Sequence, residues 1–188
     1  MDKHLTNIIP IGEITNMLSG TSAITGIDFG SSALKAVELK NFKTGIKMSN
    51  FLFKPIPLSV RANDTEYKNF ITNALKEGIQ EGKIKAYNVY FGIGGNDVTA
   101  RFMTLPKLSQ KDMLSSIILE LKKQGHFEPK EVYYDFKIVS EMSDRTGPKV
   151  HVLVAIAKKQ VIDQKIELLN QIGMKTIGVS ILQTAFLN

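Results

Sequence analysis

Asp28, Lys35 and the small residues between them could together bind a phosphate group. Asp28 ends a short apolar run, and Gly30-Ser31-Ser32 follows it as a turn of small residues. Such a turn can point several backbone N–H groups at one anion, and the serine hydroxyls add donors. Lys35 can reach back over the turn as a point charge, and a carboxylate such as Asp28 can hold hydrated Mg²⁺. The same spacing also fits a plain β-hairpin with a paired acid and base, and the residues alone leave both interpretations open.

Other classes of site lack the residues that their chemistry needs. His4, His126 and His151 are far apart along the chain, so a metal site is not predicted. There is no Gly-x-Ser-x-Gly nucleophile motif, and neither the P-loop nor the dinucleotide-binding glycine motif is present. Residues 92–95 are predicted to form a turn. No catalytic residue is therefore assigned.

Composition excludes further classes of function. The chain has 188 residues and no cysteine, which excludes a disulfide framework, a thiolate zinc site, an Fe–S cluster and a cysteine nucleophile. Its 24 Lys and Arg outnumber 18 Asp and Glu, a net charge of +6, but the basic residues are scattered. Scattered charge favours a solvated mixed surface over a nucleic-acid interface, so no nucleic-acid partner is predicted, while a weak attraction to an anionic membrane stays open.

The first 21 residues form a segment with its own pattern. No apolar stretch approaches the ~20 residues of a membrane-spanning helix, and no secretory signal is evident. The apolar residues in this segment are interrupted by Pro10 and Gly12. We predict a tail that packs on the domain or on a neighbour, and a membrane-surface or partner-binding helix is the alternative.

The rest of the chain predicts an α/β protein. In the first half we expect a hairpin over 23–40, a strand at 46–53, an amphipathic helix from Asn63 or Asp64, and a strand at 89–93. In the returning strand of the hairpin, the apolar run consists of Leu34, Val37 and Leu39 with Ala36 between them, and Lys35 and Glu38 are the polar positions.

The second half predicts a β-α-β-β-α module followed by one more strand. Its elements are a strand at 98–105, a helix capped by Ser109, strands at 132–139 and 150–157 joined by a polar loop at 143–148, a helix at 159–172 ended by Gly173, and a strand at 176–181. A last strand followed by seven residues predicts a chain cut in the middle of a fold.

Residues 26–39 resemble the first phosphate hairpin of the actin, Hsp70 and sugar-kinase superfamily. Their sequence is Gly-Ile-Asp-Phe-Gly-Ser-Ser-Ala-Leu-Lys-Ala-Val-Glu-Leu. Within it they are most similar to the PilM family of actin-like type IV pilus assembly proteins. Residues 100–106, 134–136 and 168–175 are similar too, so the resemblance runs from about Thr25 to the end. It implies an actin-like, ribonuclease H-like fold in which 22–97 and 174–188 form subdomain 1A and 98–173 an inserted β-α-β-β-α subdomain 1C, with 1–21 as the tail.

The resemblance also implies a site and partners. Asp28 would face the Mg²⁺ of ATP through water, and Gly30, Ser31, Ser32 and Lys35 would contact the β- and γ-phosphates. The family lies on the cytoplasmic face of the inner membrane, within an assembly complex, and binds the N-terminal peptide of the membrane protein PilN between subdomains 1A and 1C. The resemblance assigns no residue of this chain to that groove, and homo-oligomerisation stays open.

One departure from the family pattern limits the activity that we expect. Actin-like proteins need a second lobe with a second phosphate hairpin, which these 188 residues do not supply. Half of a phosphate clamp is expected to bind nucleotide weakly and to hydrolyse none. The leading hypothesis is therefore a non-catalytic scaffold. The alternatives are part of an ATP-dependent enzyme, an ATPase or sugar kinase, and an FtsA-like cell-division protein; whether the chain is a fragment or a natural half-protein stays open.

Overall fold

The computed structural model describes residues 23–123, 128 and 130–181. The predicted tail, His4, His126 and the last residues from 182 onward lie outside this part of the chain. The described chain divides into two compact units, one formed by residues 94–162 and the other by residues up to 93 together with those from 163 onward.

The first unit along the chain is built on a five-stranded sheet. Its strands are β1 (Ala23–Phe29), β2 (Ala33–Phe42), β3 (Gly45–Pro55), β4 (Asn88–Ile93) and β8 (Lys175–Ile181). They lie in the order β3-β2-β1-β4-β8. Strands β1 to β3 form an antiparallel meander, and β4 and β8 continue the sheet in parallel with β1. The predicted hairpin, third strand and two later strands are confirmed.

Helix α2 (Asp64–Gln80) covers the inner face of this sheet, after the single turn of α1 (Leu58–Arg61). Its buried residues include Ile71 and Leu75 at a helical spacing of four. A methyl group added at Gly78 would come within 3.0 Å of Leu52 in β3, which shows how closely the helix lies on the sheet. The predicted cap is confirmed, because the side chain of Asn63 accepts hydrogen bonds from the backbone N–H groups of residues 65 and 66.

The second unit contains the elements β5 (Val98–Pro106), α3 (Gln110–Lys123), β6 (Val132–Asp144) and β7 (Gly147–Lys158). The strands form an antiparallel sheet in the order β5-β7-β6. Ser109 caps α3. Its hydroxyl oxygen accepts a hydrogen bond from the Asp112 N–H at 3.3 Å, and its O–H donates to the Asp112 carboxylate at 2.6 Å. Sheet and helix enclose a core of Met103, Leu105, Met113, Ile117, Leu121, Val132, Val150, Val152, Val154 and Ile156.

The prediction of a polar loop at 143–148 is wrong. Strand β6 continues to Asp144 and β7 begins at Gly147, so the connection is a two-residue turn. Asp144 accepts hydrogen bonds from the N–H and hydroxyl of Thr146 and pairs with Lys149 at 2.6 Å. The Lys149 ammonium, followed by the Thr146 hydroxyl, lowers the pKa of Asp144 to about 2. These contacts let a polar sequence complete an antiparallel ladder.

Helix α4 (Lys159–Gln171) is followed closely by Gly173, the glycine predicted to stop it. Gly173 has a φ of +79° and the Met174 N–H donates to the Leu169 carbonyl, a glycine-ended helix terminus. The division between the two units falls inside α4, after Ile162. The subdomain bounds inferred from the family resemblance stay a prediction.

Candidate functional site

Asp28 and Lys35 meet at the tip of the β1–β2 hairpin. They are directly opposite in the antiparallel register, so their side chains share one face of the sheet. The Lys35 Nζ lies 3.1 Å from the Asp28 Oδ2, with the side chains 54% and 31% exposed. Both charges can therefore reach solvent or a ligand above the hairpin.

Gly30, Ser31 and Ser32 form the exposed turn between the two strands. Gly30 does not have a positive φ, so it is required for a different reason. A methyl group at this position would lie 2.7 Å from the Ala33 carbonyl oxygen, a distance that real side chains do not adopt. The small residue allows the chain to fold tightly back on itself, and the two exposed serines follow it beside the Asp28–Lys35 pair.

Two contacts that the sequence did not predict hold this turn from outside the hairpin. The Tyr67 hydroxyl, from the first turn of α2, donates to the Gly30 carbonyl at 3.3 Å. The Ile56 N–H, just after β3, donates to the Ser32 carbonyl at 2.8 Å. Tyr67 belongs to the helical spacing of apolar residues in α2, and no local pattern indicates that its hydroxyl reaches a backbone carbonyl 37 positions away.

The pKa of the Tyr67 hydroxyl is affected by the negative charge at the hairpin. Burial of the ring, and then the negative charge of Asp28, raise the pKa of Tyr67 above its ordinary value of 10.0. The hydroxyl therefore stays protonated near neutral pH and remains a hydrogen-bond donor to the turn.

A further cation lies near the tip of the hairpin, beside the Phe29 ring. The Phe29 ring packs edge-on against Phe91 at 5.6 Å between centroids. The Lys165 ammonium of α4 lies 5.2 Å from the centre of the same Phe29 ring, within cation–π range. Neither Phe29 nor Lys165 is among the predicted site residues.

Glu38 is a buried acid in β2, away from the hairpin tip. Glu38 is 1% exposed, whereas Val37, which precedes it in the strand, is 36% exposed. The carboxylate accepts hydrogen bonds from four donors: the side chains of Ser49 and Asn50 and the backbone N–H groups of Lys85 and Ala86.

These contacts determine the ionisation of Glu38. Burial by itself raises the pKa of a carboxyl group, but the hydrogen bonds from Ser49, the Lys85 N–H, Asn50 and the Ala86 N–H outweigh that effect. They lower the pKa of Glu38 to about 2. The residue joins β2, β3 and the segment before β4, which is a structural role.

The described ranges contain neither a metal-binding cluster nor a membrane-spanning helix. Within residues 23–123, 128 and 130–181, no three His, Cys, Asp or Glu side chains come together in a way that could hold a metal. His151 instead shares a hydrogen bond with Thr104 at 2.9 Å. No helix in the same ranges is long and apolar enough to cross a bilayer. The run 92–95 leads into a short 3₁₀ turn at Gly95–Asp97.

The five-stranded sheet with its β1–β2 hairpin and the separate three-stranded sheet form an actin-like fold. A protein-family model described as "Type IV pilus assembly protein PilM" matches residues 26–186. The chain belongs to this family.

Comparisons with solved structures agree with the fold. The chain matches the "PilM-PilN type IV pilus biogenesis complex" with a TM-score of 0.70 and 22% identity, over 87% of this chain and 48% of that one. It also matches the cytoplasmic domain of EpsL, an inner-membrane component of the type II secretion system of Vibrio cholerae, with a TM-score of 0.54 and 9% identity, over 85% and 57% of the two chains. The chain therefore spans about half the length of these structures. No curated protein sequence matched the chain.

Proposed function

We propose that this chain is a cytoplasmic scaffold of type IV pilus assembly that docks the N-terminal peptide of a PilN-like membrane protein. Such a partner would hold the chain at the inner membrane, within the assembly complex. The observation that carries the proposal is the family match over residues 26–186. The likeness to a PilM chain solved together with PilN supports the choice of partner.

We infer in addition that the hairpin is one half of a nucleotide site. Asp28 would hold Mg²⁺ through water, and Gly30, Ser31, Ser32 and Lys35 would face the β- and γ-phosphates of ATP. The ion pair at 3.1 Å and the exposed serines next to it support this assignment. A bound metal would supply positive charge against the phosphates, a role that Lys35 shares. Because these 188 residues match only 48% of the PilM chain solved with PilN, we expect weak nucleotide binding and no hydrolysis by these residues alone.

Peptide docking is tested by titrating the 188-residue chain with the first residues of the PilN-like protein from the same organism. Calorimetry and amide NMR shifts are the readouts, and a peptide of scrambled sequence is the matched control. The native peptide should give saturable heat and localised shifts, and the scrambled peptide neither. Absence of both signals at about 1 mM peptide, where even ~4 kcal/mol of binding free energy would be detected, would reject the docking proposal.

Self-association is a separate question that the same sample can answer. Light scattering after gel filtration compares the measured mass with the 20.9 kDa of one chain. A mass equal to that of one chain would show a monomer, and a multiple of it at micromolar concentration would show a homo-oligomer.

A further inference from the structure

Tyr67 lies outside the phosphate hairpin in sequence but contacts its turn in space. We propose that Tyr67 is a positioning residue, which fixes the Gly30–Ser31 peptide so that the Ser31 N–H is presented to a bound phosphate. This inference rests on the proposed phosphate-binding role of the hairpin. The experiment below is therefore arranged so that failure of one can be told from failure of the other.

The orientation of the Ser31 N–H follows from the geometry of a single peptide unit. The described chain contains no cis peptide bonds, and in a trans peptide the C=O and the following N–H point in opposite directions. The Tyr67 hydroxyl holds the Gly30 carbonyl at 3.3 Å, on the side of α2. The Ser31 N–H must then point away from α2, since it belongs to the same rigid plane.

The backbone of Tyr67 is held in place by the capped first turn of α2. It occupies the first turn of α2, and its own N–H donates to the Asn63 carbonyl at 2.9 Å. The Asn63 side chain accepts two further N–H groups of the same turn. The cap therefore fixes the start of the helix. The partly buried Tyr67 ring is held in place with it, and so is the hydroxyl that contacts the hairpin turn.

The turn is held at two points of different kinds. The Ser32 carbonyl accepts from the Ile56 N–H at 2.8 Å, a backbone contact that side-chain substitution leaves in place. The Gly30 carbonyl depends on a side-chain hydroxyl. Without that hydroxyl, the Gly30–Ser31 peptide plane is free to rotate. A rotated plane could turn the Gly30 carbonyl oxygen toward the bound anion, and its partial negative charge would repel the anion.

The effect on binding follows from the loss of one positioning hydrogen bond. A neutral hydrogen bond makes only a modest net contribution to the free energy. A variant that lacks the Tyr67–Gly30 hydrogen bond should therefore bind an anion about three- to tenfold more weakly. The cost arises because the free turn must be ordered when the anion binds.

The experiment uses the 188-residue chain, labelled with ¹⁵N and titrated with pyrophosphate in the presence of Mg²⁺. The variant is Tyr67→Phe, which keeps the ring, and the matched control is Tyr87→Phe, whose side chain is 49% exposed. We expect saturable shifts of the Ser31 and Ser32 amides in the wild type. Tyr67→Phe should shift the Ser31 amide already in the free protein and raise the pyrophosphate dissociation constant about three- to tenfold, and Tyr87→Phe should do neither.

Each outcome has a distinct meaning. If the wild-type hairpin amides do not respond to pyrophosphate, the proposed phosphate role of the hairpin fails and this inference falls with it. If the wild type responds and Tyr67→Phe binds equally well with an unchanged Ser31 amide, the hairpin stands and the role of Tyr67 is overturned. Should Tyr67→Phe fail to fold, Asn63→Ala loosens the same helix turn, and unchanged affinity in that variant would overturn the inference too.

Discussion

The Asp28 carboxylate and the Lys35 ammonium face each other across the β1–β2 ladder at 3.1 Å, close to the turn. In the free chain each charge is balanced by the other. On the proposal that the hairpin binds phosphate, Lys35 would turn to the phosphate and Asp28 to its hydrated metal. Substitution of Lys35 separates this proposed role from that of a purely structural ion pair.

Removal of this pair should change binding more than stability. Lys35→Met should leave the free energy of unfolding within about 1 kcal/mol of the wild type, because partly exposed ion pairs contribute little, and should abolish the response of the Ser31 amide to pyrophosphate. Urea unfolding and the NMR titration measure the two effects. Lys54→Met removes a comparable exposed pair with Glu77 and serves as the control, with binding unchanged. Equal pyrophosphate affinity in Lys35→Met and the wild type would remove Lys35 from the site.

Gly30→Ala should damage the turn through a steric clash. The added methyl group would lie 2.7 Å from the Ala33 carbonyl oxygen, whereas at Gly26, in the same strand region, it would meet Val37 at an ordinary 3.4 Å. We expect Gly30→Ala to cost about 1–3 kcal/mol and Gly26→Ala to cost less. Thermal unfolding of both variants checks this, and the prediction is wrong if the two lose the same stability.

The positions of strands and helices could be predicted from sequence because local patterns determine them. The β1–β2 hairpin, the Asn63 cap and the Gly173 helix end each depend on residues close together in the chain. The inward side of β2 could not be predicted, since the partners that bury Glu38 come from β3 and from the segment before β4. An acid between two apolar residues is expected to be exposed, and only these distant donors reverse that.

Part of the candidate site could be predicted from sequence, and part of it could not. Its charged and small residues lie close together in the chain, from Asp28 to Lys35, so their spacing indicates where they meet. Tyr67 and Ile56 act on backbone carbonyls of the turn, and contacts of this kind leave no pattern of residue types. The polar loop predicted at 143–148 failed for a related reason, because an exposed β-ribbon can be as polar as a loop.

The core of the three-stranded unit gives a prediction independent of any ligand. Ile117 of α3 is fully buried, and Leu119, in the same helix, is 55% exposed. Ile117→Ala should cost about 2–5 kcal/mol because it leaves a cavity, and Leu119→Ala should change stability by about 0.5 kcal/mol or less. Urea unfolding of the two variants makes the comparison, and similar midpoints would show that α3 does not pack as described.

Glu38 makes stability depend on acid pH. Its pKa is lowered in the folded chain from 4.5 to about 2, so the folded state binds its proton less readily than the unfolded state. The stability that the ionised carboxylate contributes is therefore present above about pH 4.5 and is lost as the pH falls toward 2. A shift of this size corresponds to about 3 kcal/mol.

Glu38→Gln should accordingly be less stable than the wild type by about 3 kcal/mol at pH 7, since an amide cannot satisfy four donors as a carboxylate does. The difference should shrink as the pH is lowered from about 5 to about 2, because the wild type loses its advantage while the variant has no group to titrate at this position. Urea unfolding at several pH values measures both, with Glu77→Gln as the control, whose exposed side chain makes an ion pair with Lys54. If the difference in free energy of unfolding between the wild type and Glu38→Gln stays constant across this pH range, the Glu38 carboxyl group is not ionised among its four hydrogen-bond donors.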